Sequence, residues 1–296
     1  MAVNLSTRSF YDRSAAAMSS LTARAESLQT QVSTGKKLQT PSDDTVAYQR
    51  LQGLKLAGAD EAAYGSNVKM AQSLLAQADT TLGSIGDQLT RATELVVQAG
   101  NGTLSAEAKA ALATQLRGIA QTIAGLANTT DVRGQPLFGG DAPAALTVNA
   151  DGSFTFAAGK ASAIPIGEGQ TVDTSVAAED ILKIKGGRDI GQLLAGMADA
   201  LDAGGIIAPG DASDLAAIAA QNTAAQASVG ARAVRVELQA SYFTAAATNR
   251  EETRSGIEDV DMTQAITELQ KTMTILSATQ ASFSKLSSLS LFSYLR

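Results

Sequence analysis

One apolar stripe, between Val68 and Ala99, limits the fold of this chain more than any other feature. Its ten members recur at alternating steps of three and four residues: Val68, Ala71, Leu75, Ala78, Leu82, Ile85, Leu89, Ala92, Val96 and Ala99. This spacing places all ten along one side of a long α-helix, as in a coiled coil. The stripe stops at Gly100-Asn101-Gly102, which predicts a helix-ending turn. We therefore expect a long helix that other helices must cover.

A second helix is predicted directly after that turn. Ser105 is placed to cap its first turn. The same alternating spacing continues through Leu112, Leu116, Ile119, Ile123 and Leu126. Because the connection is short, we expect the two helices to pack antiparallel.

The composition excludes most routes to catalysis. The 296 residues include no Cys, no His and no Trp, and only 4% are aromatic. The absence of Cys and His therefore excludes thiolate chemistry, zinc clusters and histidine chemistry at neutral pH. Catalysis by Ser with Lys or by paired carboxylates would remain possible. We predict no catalytic residues, no metal ligands and no cofactor. The net charge of −6 argues against nucleic acid as a partner.

The beginning of the chain lacks the features of a secretory signal. Arg8, Asp12 and Arg13 interrupt the region where a cleavable signal would be continuously apolar. No stretch reaches the roughly 20 apolar residues that a membrane span needs. We expect no membrane association, and either a cytoplasmic location or export by a route that reads no cleavable signal.

Two further apolar stripes lie near the ends of the chain and are predicted to be subunit-interface residues. The first consists of Met18, Leu21, Ala25, Leu28 and Val32; the second consists of Met262, Ile266, Leu269, Met273, Leu276 and Phe283. A buried apolar side chain contributes about 1.5–3 kcal/mol, whereas ordering one backbone residue costs about 1–2 kcal/mol. Each terminal helix is therefore predicted to be largely disordered in the monomer and helical once neighbouring subunits bury it.

The middle of the chain has a different pattern. Apolar and polar residues alternate from Leu146 to Phe156 around Asp151-Gly152, which predicts a β-hairpin. Three more short strands and one helix are expected: strands at Ala163 to Ile166, Gln170 to Val176 and Ile181 to Lys185, and a helix at about Asp189 to Asp202. We interpret this region as a β-rich insert between two helical arms.

One polar turn segment follows the first terminal stripe, and another precedes the second. In the first, Ser42 or Asp43 is predicted to cap the next helix, in preference to a metal-binding role for Asp43 and Asp44. In the second, the acidic residues are predicted to cap the last helix. These are Glu258, Asp259 and Asp261. An alternative is pairing of this acidic cluster with a basic residue of a neighbouring subunit, such as Arg232 or Arg235.

Several motifs together resemble the bacterial flagellin superfamily and, within it, the branch that forms the hook–filament junction. They are STGKKLQTPSDD at Ser33 to Asp44, VGAR at Val229 to Arg232, SGIEDVDMTQAI from Ser255, and LSLFSYL at Leu289 to Leu295. Flagellins proper more usually carry SSGxRINSAxDD and end in LLR. The motif residues are Thr40, Pro41, Ser42, Asp43, Asp44, Gly230, Arg232, Glu258, Asp259 and Asp261. The likeness covers about residues 1–135 and 210–296.

The resemblance implies a mainly α fold, a rod-like bundle of long coiled-coil helices from both termini with a small inserted β-rich domain. The expected divisions are a terminal helix and turn (1–45), a long helical hairpin (46–133), an outward-facing insert with a short helix (134–205), a returning helix (206–255) and a final coiled-coil helix (256–296).

The resemblance also implies a function. It predicts a non-enzymatic structural subunit of the extracellular flagellum, at the hook–filament junction, exported without a cleavable signal by the flagellar type III apparatus. The implied partners are further copies of itself, the preceding hook-associated protein, flagellin, and a cytoplasmic export chaperone.

Three other functions compete with this one. The chain could instead be a flagellin that forms the filament itself. The insert could be an adhesive domain for surface polysaccharide, although it offers few aromatic side chains for stacking on sugars. A metallopeptidase insert is excluded, because a zinc HExxH site needs histidine and the chain has none.

Overall fold

The computed structural model of this protein describes residues 2–101, 103–160 and 163–294. Gly102 of the predicted turn and Leu295 of the closing motif lie outside the described residues. Within them the fold is mainly α with two small sheets, as predicted. The elements are α1 Ala2–Thr34, α2 Thr45–Ala99, α3 Ala106–Ala127, β1 Leu146–Val148, β2 Phe154–Phe156, β3 Ala163–Gly167, β4 Gln170–Asp173, α4 Ala178–Leu182, α5 Ile190–Asp202, α6 Pro209–Glu258 and α7 Met262–Tyr294.

The chain divides into two compact units. The smaller unit consists of Met1–Ala59 and Ala246–Arg296, and the larger one is Asp60–Ala245. The helices α2 and α6 each begin in one unit and end in the other. Among the described residues, no helix combines the length and the apolar character needed to cross a membrane.

The stripe of α2 forms the core of the larger unit. Each of its ten predicted members is buried, with between 0% and 8% of its surface exposed. The predicted α3 residues Leu112, Leu116, Ile119 and Ile123 are buried in the same hydrophobic cluster. The Nε2 of Gln77, 22 residues before the end of α2, donates to the carbonyl oxygen of Thr130, just after α3 (3.1 Å). The end of α3 therefore lies back alongside the middle of α2, and the two helices run antiparallel as predicted.

The local start and stop signals of these helices are confirmed. The Ser105 hydroxyl accepts a hydrogen bond from the backbone amide of Ala108 at 3.2 Å and caps α3. The helix α2 ends at Ala99, directly before the predicted turn. Asp189 likewise caps α5, accepting from the amide of Gln192 at 2.9 Å.

The predicted β-hairpin is present. Strands β1 and β2 pair antiparallel, with Leu146 opposite Phe156, and Gly152 turns the chain with a φ of 80°. Strands β3 and β4 form a second antiparallel pair, in which Ile164 lies opposite Val172. Both pairs lie close to the predicted positions.

The strand predicted at Ile181 to Lys185 is wrong, because a short helix, α4, occupies Ala178–Leu182. Ile181 and Leu182 are both buried in the core of the larger unit. Adjacent buried residues at a helix end match the alternating pattern only by chance, and Glu179 and Asp180 in the first turn favour a helix. The insert thus contributes its buried side chains to the same cluster as α2 and α3.

Candidate assembly site on the terminal helices

The terminal helices α1 and α7 pack against each other in the smaller unit. Near one end of the pair, the rings of Tyr11 and Phe283 meet edge to face with centroids 5.4 Å apart. Further along, the guanidinium of Arg24 lies 3.4 Å from a carboxylate oxygen of Glu268. Because residue numbers rise along α1 as they fall along α7, the two helices are antiparallel. We call the contact surface between α1 and α7 the terminal seam.

The terminal seam is only half-buried. On α1 its members follow steps of three and four, and each keeps part of its surface exposed: Tyr11, Ser14, Met18, Leu21, Ala25, Leu28 and Val32. On α7, Leu269, Leu276 and Phe283 are likewise half-buried, whereas Ala265 and Thr272 are fully buried. Two helices alone enclose only one edge of each other, so the apolar stripe cannot be covered completely.

The structure divides the eleven predicted interface residues into two groups. Eight of them lie in the terminal seam: Met18, Leu21, Ala25, Leu28, Val32, Leu269, Leu276 and Phe283. The other three lie on an exposed flank of α7, where Met262 is 42%, Ile266 40% and Met273 56% exposed. We call these three residues the exposed α7 flank.

Sequence reasoning missed the two buried residues of α7 among positions 262–285, the part of this helix whose burial is described. Ala265 and Thr272 are seven residues apart and lie at 4% and 3% exposure. A small apolar residue and a threonine carry little weight in a search for large apolar side chains. The signal that could have found them is their heptad spacing, since small residues permit close approach of two helices.

The two polar turns beside the terminal seam are joined by backbone hydrogen bonds. The amide of Lys37 donates to the carbonyl oxygen of Glu258 (2.8 Å), and the amide of Val260 donates to that of Gly35 (3.0 Å). Lys36 and Asp259 thereby form an antiparallel bridge. Gly35 adopts a φ of 72°, a conformation that favours glycine at a helix end. The turn after α1 and the turn before α7 therefore form one structure, which we call the turn bridge.

An ion pair between the half-exposed Lys36 and the buried Glu258 lies inside the turn bridge. The Nζ of Lys36 is 2.6 Å from Oε1 of Glu258, and Arg254 binds the other carboxylate oxygen. Only 8% of the Glu258 side chain is exposed. The hydrogen bond from Lys36 lowers the pKa of Glu258 most; burial acts in the opposite direction, and Arg254 lowers it further. Glu258 is therefore held as a carboxylate that ties α6 to the turn after α1.

The first turn is closed by side chains acting on backbone amides. Asp43 Oδ2 accepts hydrogen bonds from the amides of Gln39 (2.9 Å) and Thr40 (2.8 Å). The backbone hydrogen bond from Thr40 is the main cause that lowers the pKa of Asp43. Pro41 lies inside this closed turn, and the hydroxyls of Thr40 and Ser42 are 3.1 Å apart.

The predicted cap at Ser42 or Asp43 is wrong by one or two residues. Asp44 caps α2 instead, because its Oδ1 accepts from the amides of Val46 (3.0 Å) and Ala47 (2.9 Å). Two adjacent aspartates close the turn and begin the helix, so the roles could not be separated from their sequence order alone.

The acidic cluster at the second turn is also divided. Asp261 caps α7 as predicted, with Oδ1 accepting from the amide of Gln264 at 3.0 Å. Asp259 accepts from the hydroxyl of Ser255, one turn earlier. Glu258 ends α6 and is the ion-pair partner of Lys36, so it does not cap α7.

Arg232 forms hydrogen bonds within the larger unit. Its Nη1 donates to the carbonyl oxygens of Asp173 and Ser175, each at 3.1 Å, and so ties α6 to the end of β4 and the segment that follows it. Pairing of the acidic cluster with Arg232 or Arg235 of a neighbouring subunit stays a prediction. The neighbouring Gly230 lies inside α6 with open space where a side chain would project.

Two family models match the chain, one at each end. The bacterial flagellin N-terminal helical region matches residues 5–142. The bacterial flagellin C-terminal helical region matches residues 215–295. The two matches contain the terminal seam and the turn bridge, and they leave out most of the insert.

Two relatives share this part of the sequence. The flagellar hook-associated protein 3 of Salmonella typhimurium is 33% identical over 138 residues, which are 47% of this chain and 44% of the relative. The protein of the same name from Escherichia coli is 36% identical over 110 residues, 37% of this chain and 35% of the relative. The chain thus spans less than half the length of these curated relatives.

Solved structures share the fold. A putative flagellar hook-associated protein from Vibrio parahaemolyticus, 21% identical, matches 73% of this chain and 100% of its own with a TM-score of 0.67. FlgL from Xanthomonas campestris, 17% identical, matches 68% of this chain and 99% of its own with a TM-score of 0.60. The flagellar junction protein FlgL from Legionella pneumophila, 12% identical, matches 72% of this chain and 100% of its own with a TM-score of 0.58.

Proposed function

The chain belongs to the bacterial flagellin family, and on that premise we propose that it is a structural subunit of the bacterial flagellum, an adaptor at the hook–filament junction. The observation that carries this proposal is the likeness to two relatives that are both named flagellar hook-associated protein 3. The TPSDD segment supports the same choice, since it differs from the segment typical of flagellins proper.

The proposed partners are other flagellar components. The protein would bind further copies of itself, the preceding hook-associated protein on one side and flagellin on the other. A cytoplasmic chaperone would shield α7 before export through the flagellar type III apparatus, and the assembled protein would be extracellular. Its role would be to connect subunits, without an enzymatic reaction.

The terminal helices are the proposed assembly surface. The exposed α7 flank would bind a neighbouring subunit directly, because covering a row of water-exposed apolar side chains lowers the free energy. The half-buried terminal seam would be completed by the same neighbours. Residues 1–45 and 256–296 would then form the polymerising part, while 46–133 and 206–255 would carry the insert, 134–205.

A deletion strain tests this function. Without the gene, cells should build hooks but no filaments, and flagellin monomers should appear in the medium. Plasmid-borne wild-type protein should restore filaments. The variant Arg254→Glu, in which the turn bridge is broken, should be expressed at the same level and serves as the control for expression. Short filaments that stay attached to the hook in the deletion strain would contradict the junction role.

The alternative function is that of flagellin itself, since both family models describe flagellin helical regions. A flagellin polymerises into long filaments once seeded. A junction protein should add only to a preformed end that carries the preceding hook-associated protein. Electron microscopy of the purified protein, alone and with such ends, separates the two functions.

A further inference from the structure

The helix α6 is apolar on its exposed side as well as on the side that faces the core. Its inner stripe, which includes Leu215, Ile218, Val229 and Val236, is buried in the larger unit. A second stripe lies on the opposite side of the helix and is exposed at every position. Its members are Ala216, Ala220, Ala224, Ala227, Ala231, Val234, Leu238, Tyr242 and Ala245. We call these nine residues the outer α6 face.

Three large side chains distinguish this face from an ordinary exposed row of alanines. Val234 is 58% exposed, Leu238 68% and Tyr242 62%, and they follow one another at intervals of four residues. Contiguous exposed apolar side chains of this kind mark interaction surfaces. Because the members of the face recur at steps of three and four residues, another helix fits the face best.

The outer α6 face is also uncharged over a long distance. From Leu215 to Ala231 the helix contains no Asp, Glu, Lys or Arg. Arg235 lies at the edge of the face, is exposed, and forms no ion pair within the described residues. A matching partner helix should therefore be uncharged where it meets the alanines and acidic where it meets Arg235.

The larger unit carries such a helical face itself, on α3. The exposed positions on one side of this helix are all uncharged: Ala111, Thr114, Gln115, Gly118, Gln121, Thr122 and Gly125. We call them the outer α3 face. Gly118 and Gly125 lie seven residues apart, and a Cβ atom at either position would meet open space. Glycine weakens a helix interior relative to alanine, and packing within the chain does not require glycine at these two positions.

An antiparallel alignment brings the two faces into register. Glu107, exposed in the first turn of α3, supplies the acidic residue, and we place it opposite Arg235. Counting along both helices from that pair places Ala111 opposite Ala231, Gln115 opposite Ala227, Gly118 opposite Ala224 and Thr122 opposite Ala220. Each of these pairs joins a member of one face to a member of the other. A shift by one heptad would keep small residues together but would separate the two charges.

The large side chains of the outer α6 face also find apolar partners in this alignment. Leu238 and Tyr242 extend past the start of α3, toward the turn that joins it to α2. Leu104 in that turn keeps part of its surface exposed. Val97, near the end of α2, is 74% exposed. Apolar surface is therefore available on both sides of the turn.

We propose that the outer α6 face of one copy of this chain binds the outer α3 face of a second copy, antiparallel and with Arg235 opposite Glu107. This inference rests on the proposed function, since it names a surface through which the subunit binds further copies of itself. It adds to the contacts of the terminal helices. Arg235 would then be occupied by Glu107 and not by the acidic cluster of a neighbouring subunit.

The contact would be head to tail. The two faces are different surfaces of one unit, so each copy offers α6 to one neighbour and α3 to another. Contacts of this type build a ring or a helical row of copies, whereas a contact of one surface with itself builds a closed pair. A ring or a row is what a structural subunit of a flagellum requires.

Cysteine crosslinking in assembled protein tests this contact, because the parent chain has no cysteine. Gly118→Cys and Ala224→Cys are made in separate chains with different epitope tags and are expressed together in the deletion strain. Any disulfide between the two tags then joins two copies. A disulfide needs Cα atoms within about 7 Å of each other. Mild oxidation of isolated hook–filament structures should therefore give the mixed disulfide as the main product.

Matched variants make the result specific. Gly125→Cys with Ala224→Cys lies on the same two faces but about 10 Å out of register, so it should give little mixed disulfide. Leu238→Glu should abolish the mixed disulfide of the first pair. Thr244→Glu places the same charge at an exposed position on another side of α6 and should leave it unchanged. The pair Ala111→Cys and Ala231→Cys, opposed in the same alignment, should reproduce the result of the first pair.

The outcomes separate this inference from the proposed function. Restored filaments without a mixed disulfide from either opposed pair would overturn the inference and leave the junction role intact. A main product that joins two Ala224→Cys chains would also overturn it, since α6 would then bind α6. Equal yields from Gly118→Cys and Gly125→Cys would overturn the alignment. Failure of the cysteine-free parent to restore filaments would contradict the proposed function, and this inference with it.

Discussion

The stripes of α2 and α1 have the same spacing but differ in how far their side chains are buried. All ten stripe residues of α2 are buried, whereas all five predicted stripe residues of α1 keep part of their surface exposed. The difference lies in their surroundings. In the larger unit α3, α6 and the insert all contribute to the cluster around α2, while in the smaller unit α1 faces α7. A stripe of given length therefore stabilises a helix only as far as neighbours cover it.

This comparison explains why the terminal helices suit assembly. Full burial of a large apolar side chain contributes about 1.5–3 kcal/mol, and half-burial contributes correspondingly less. Ordering a backbone residue costs about 1–2 kcal/mol everywhere. We therefore predict that the terminal seam depends on neighbouring subunits and that the larger unit does not. The predictions below compare the two regions directly.

Removing both terminal helices should produce the largest effect. A variant that lacks residues 2–34 and 262–296 should lose assembly completely while the larger unit still unfolds cooperatively. Since the terminal helices are predicted to be disordered in the monomer, the total helical circular dichroism per molecule should change little. Assembly of this variant at hook ends, or collapse of the larger unit, would contradict the division of roles.

A charge on the exposed α7 flank should weaken assembly without affecting the monomer. Met273→Asp would bury an unpaired charge at the proposed interface, at a cost of about 3–5 kcal/mol, or a loss in affinity of about 100-fold or more. The control is Thr274→Asp, which places the same charge on the adjacent exposed residue. Sedimentation of assembled material would measure both, and equal losses would show that the flank has no special role.

Cavities in the two stripes should differ in cost. Leu82→Ala removes a fully buried side chain from α2 and should reduce the free energy of unfolding of the monomer by about 2–5 kcal/mol. Leu21→Ala removes a half-buried side chain from α1 and should leave that value unchanged within about 0.5 kcal/mol. Urea unfolding of both variants measures the difference, and a comparable loss in Leu21→Ala would mean that α1 is already folded in the monomer.

The ion pair of the turn bridge should have a smaller, pH-dependent effect. The pKa of Glu258 lies below its usual 4.5, so its stabilising contribution is complete above that pH and is lost as the pH falls through the lowered pKa. Glu258→Gln should lower the free energy of opening the turn bridge by about 1–3 kcal/mol at neutral pH. It should also flatten the dependence of that free energy on pH in the acidic range. Hydrogen exchange of the Lys37 and Val260 amides in assembled protein reports on this bridge.

The matched control for that ion pair is Glu268→Gln. Glu268 pairs with Arg24 across the terminal seam, but both side chains are more than one-third exposed. An exposed pair contributes about 0–1 kcal/mol. If both substitutions had the same effect, burial of Glu258 would not matter to the turn bridge.

Periodicity predicted the long elements well because their pattern is redundant. Ten residues from Val68 to Ala99 repeat the same signal, so the exposure of any one of them could not change the interpretation. Short elements lack this redundancy, and the five residues Ile181 to Lys185 matched a strand pattern although the first two end a helix and the other three follow it. The cap at Asp44 was missed because Ser42, Asp43 and Asp44 all have suitable side chains.

The candidate site was predictable only in part. The two stripes identified α1 and α7, but the inward face of α7 is set by Ala265 and Thr272, whose size rather than polarity brings the helices together. The ion pair between Lys36 and Glu258 joins residues 222 positions apart. Local sequence patterns carry no information on such a pair, because it depends on how α6 and the first turn meet.

Hydrogen exchange of the dilute monomer tests the central claim most directly. Amides in α2 between Val68 and Ala99 should be protected to nearly the full free energy of unfolding, while those of α1 and α7 should exchange at close to the rates of an unstructured chain. On assembly, the amides of α1 and α7 should become protected. If α1 and α7 are as protected as α2 in the monomer, the terminal helices do not need neighbouring subunits and the account is wrong.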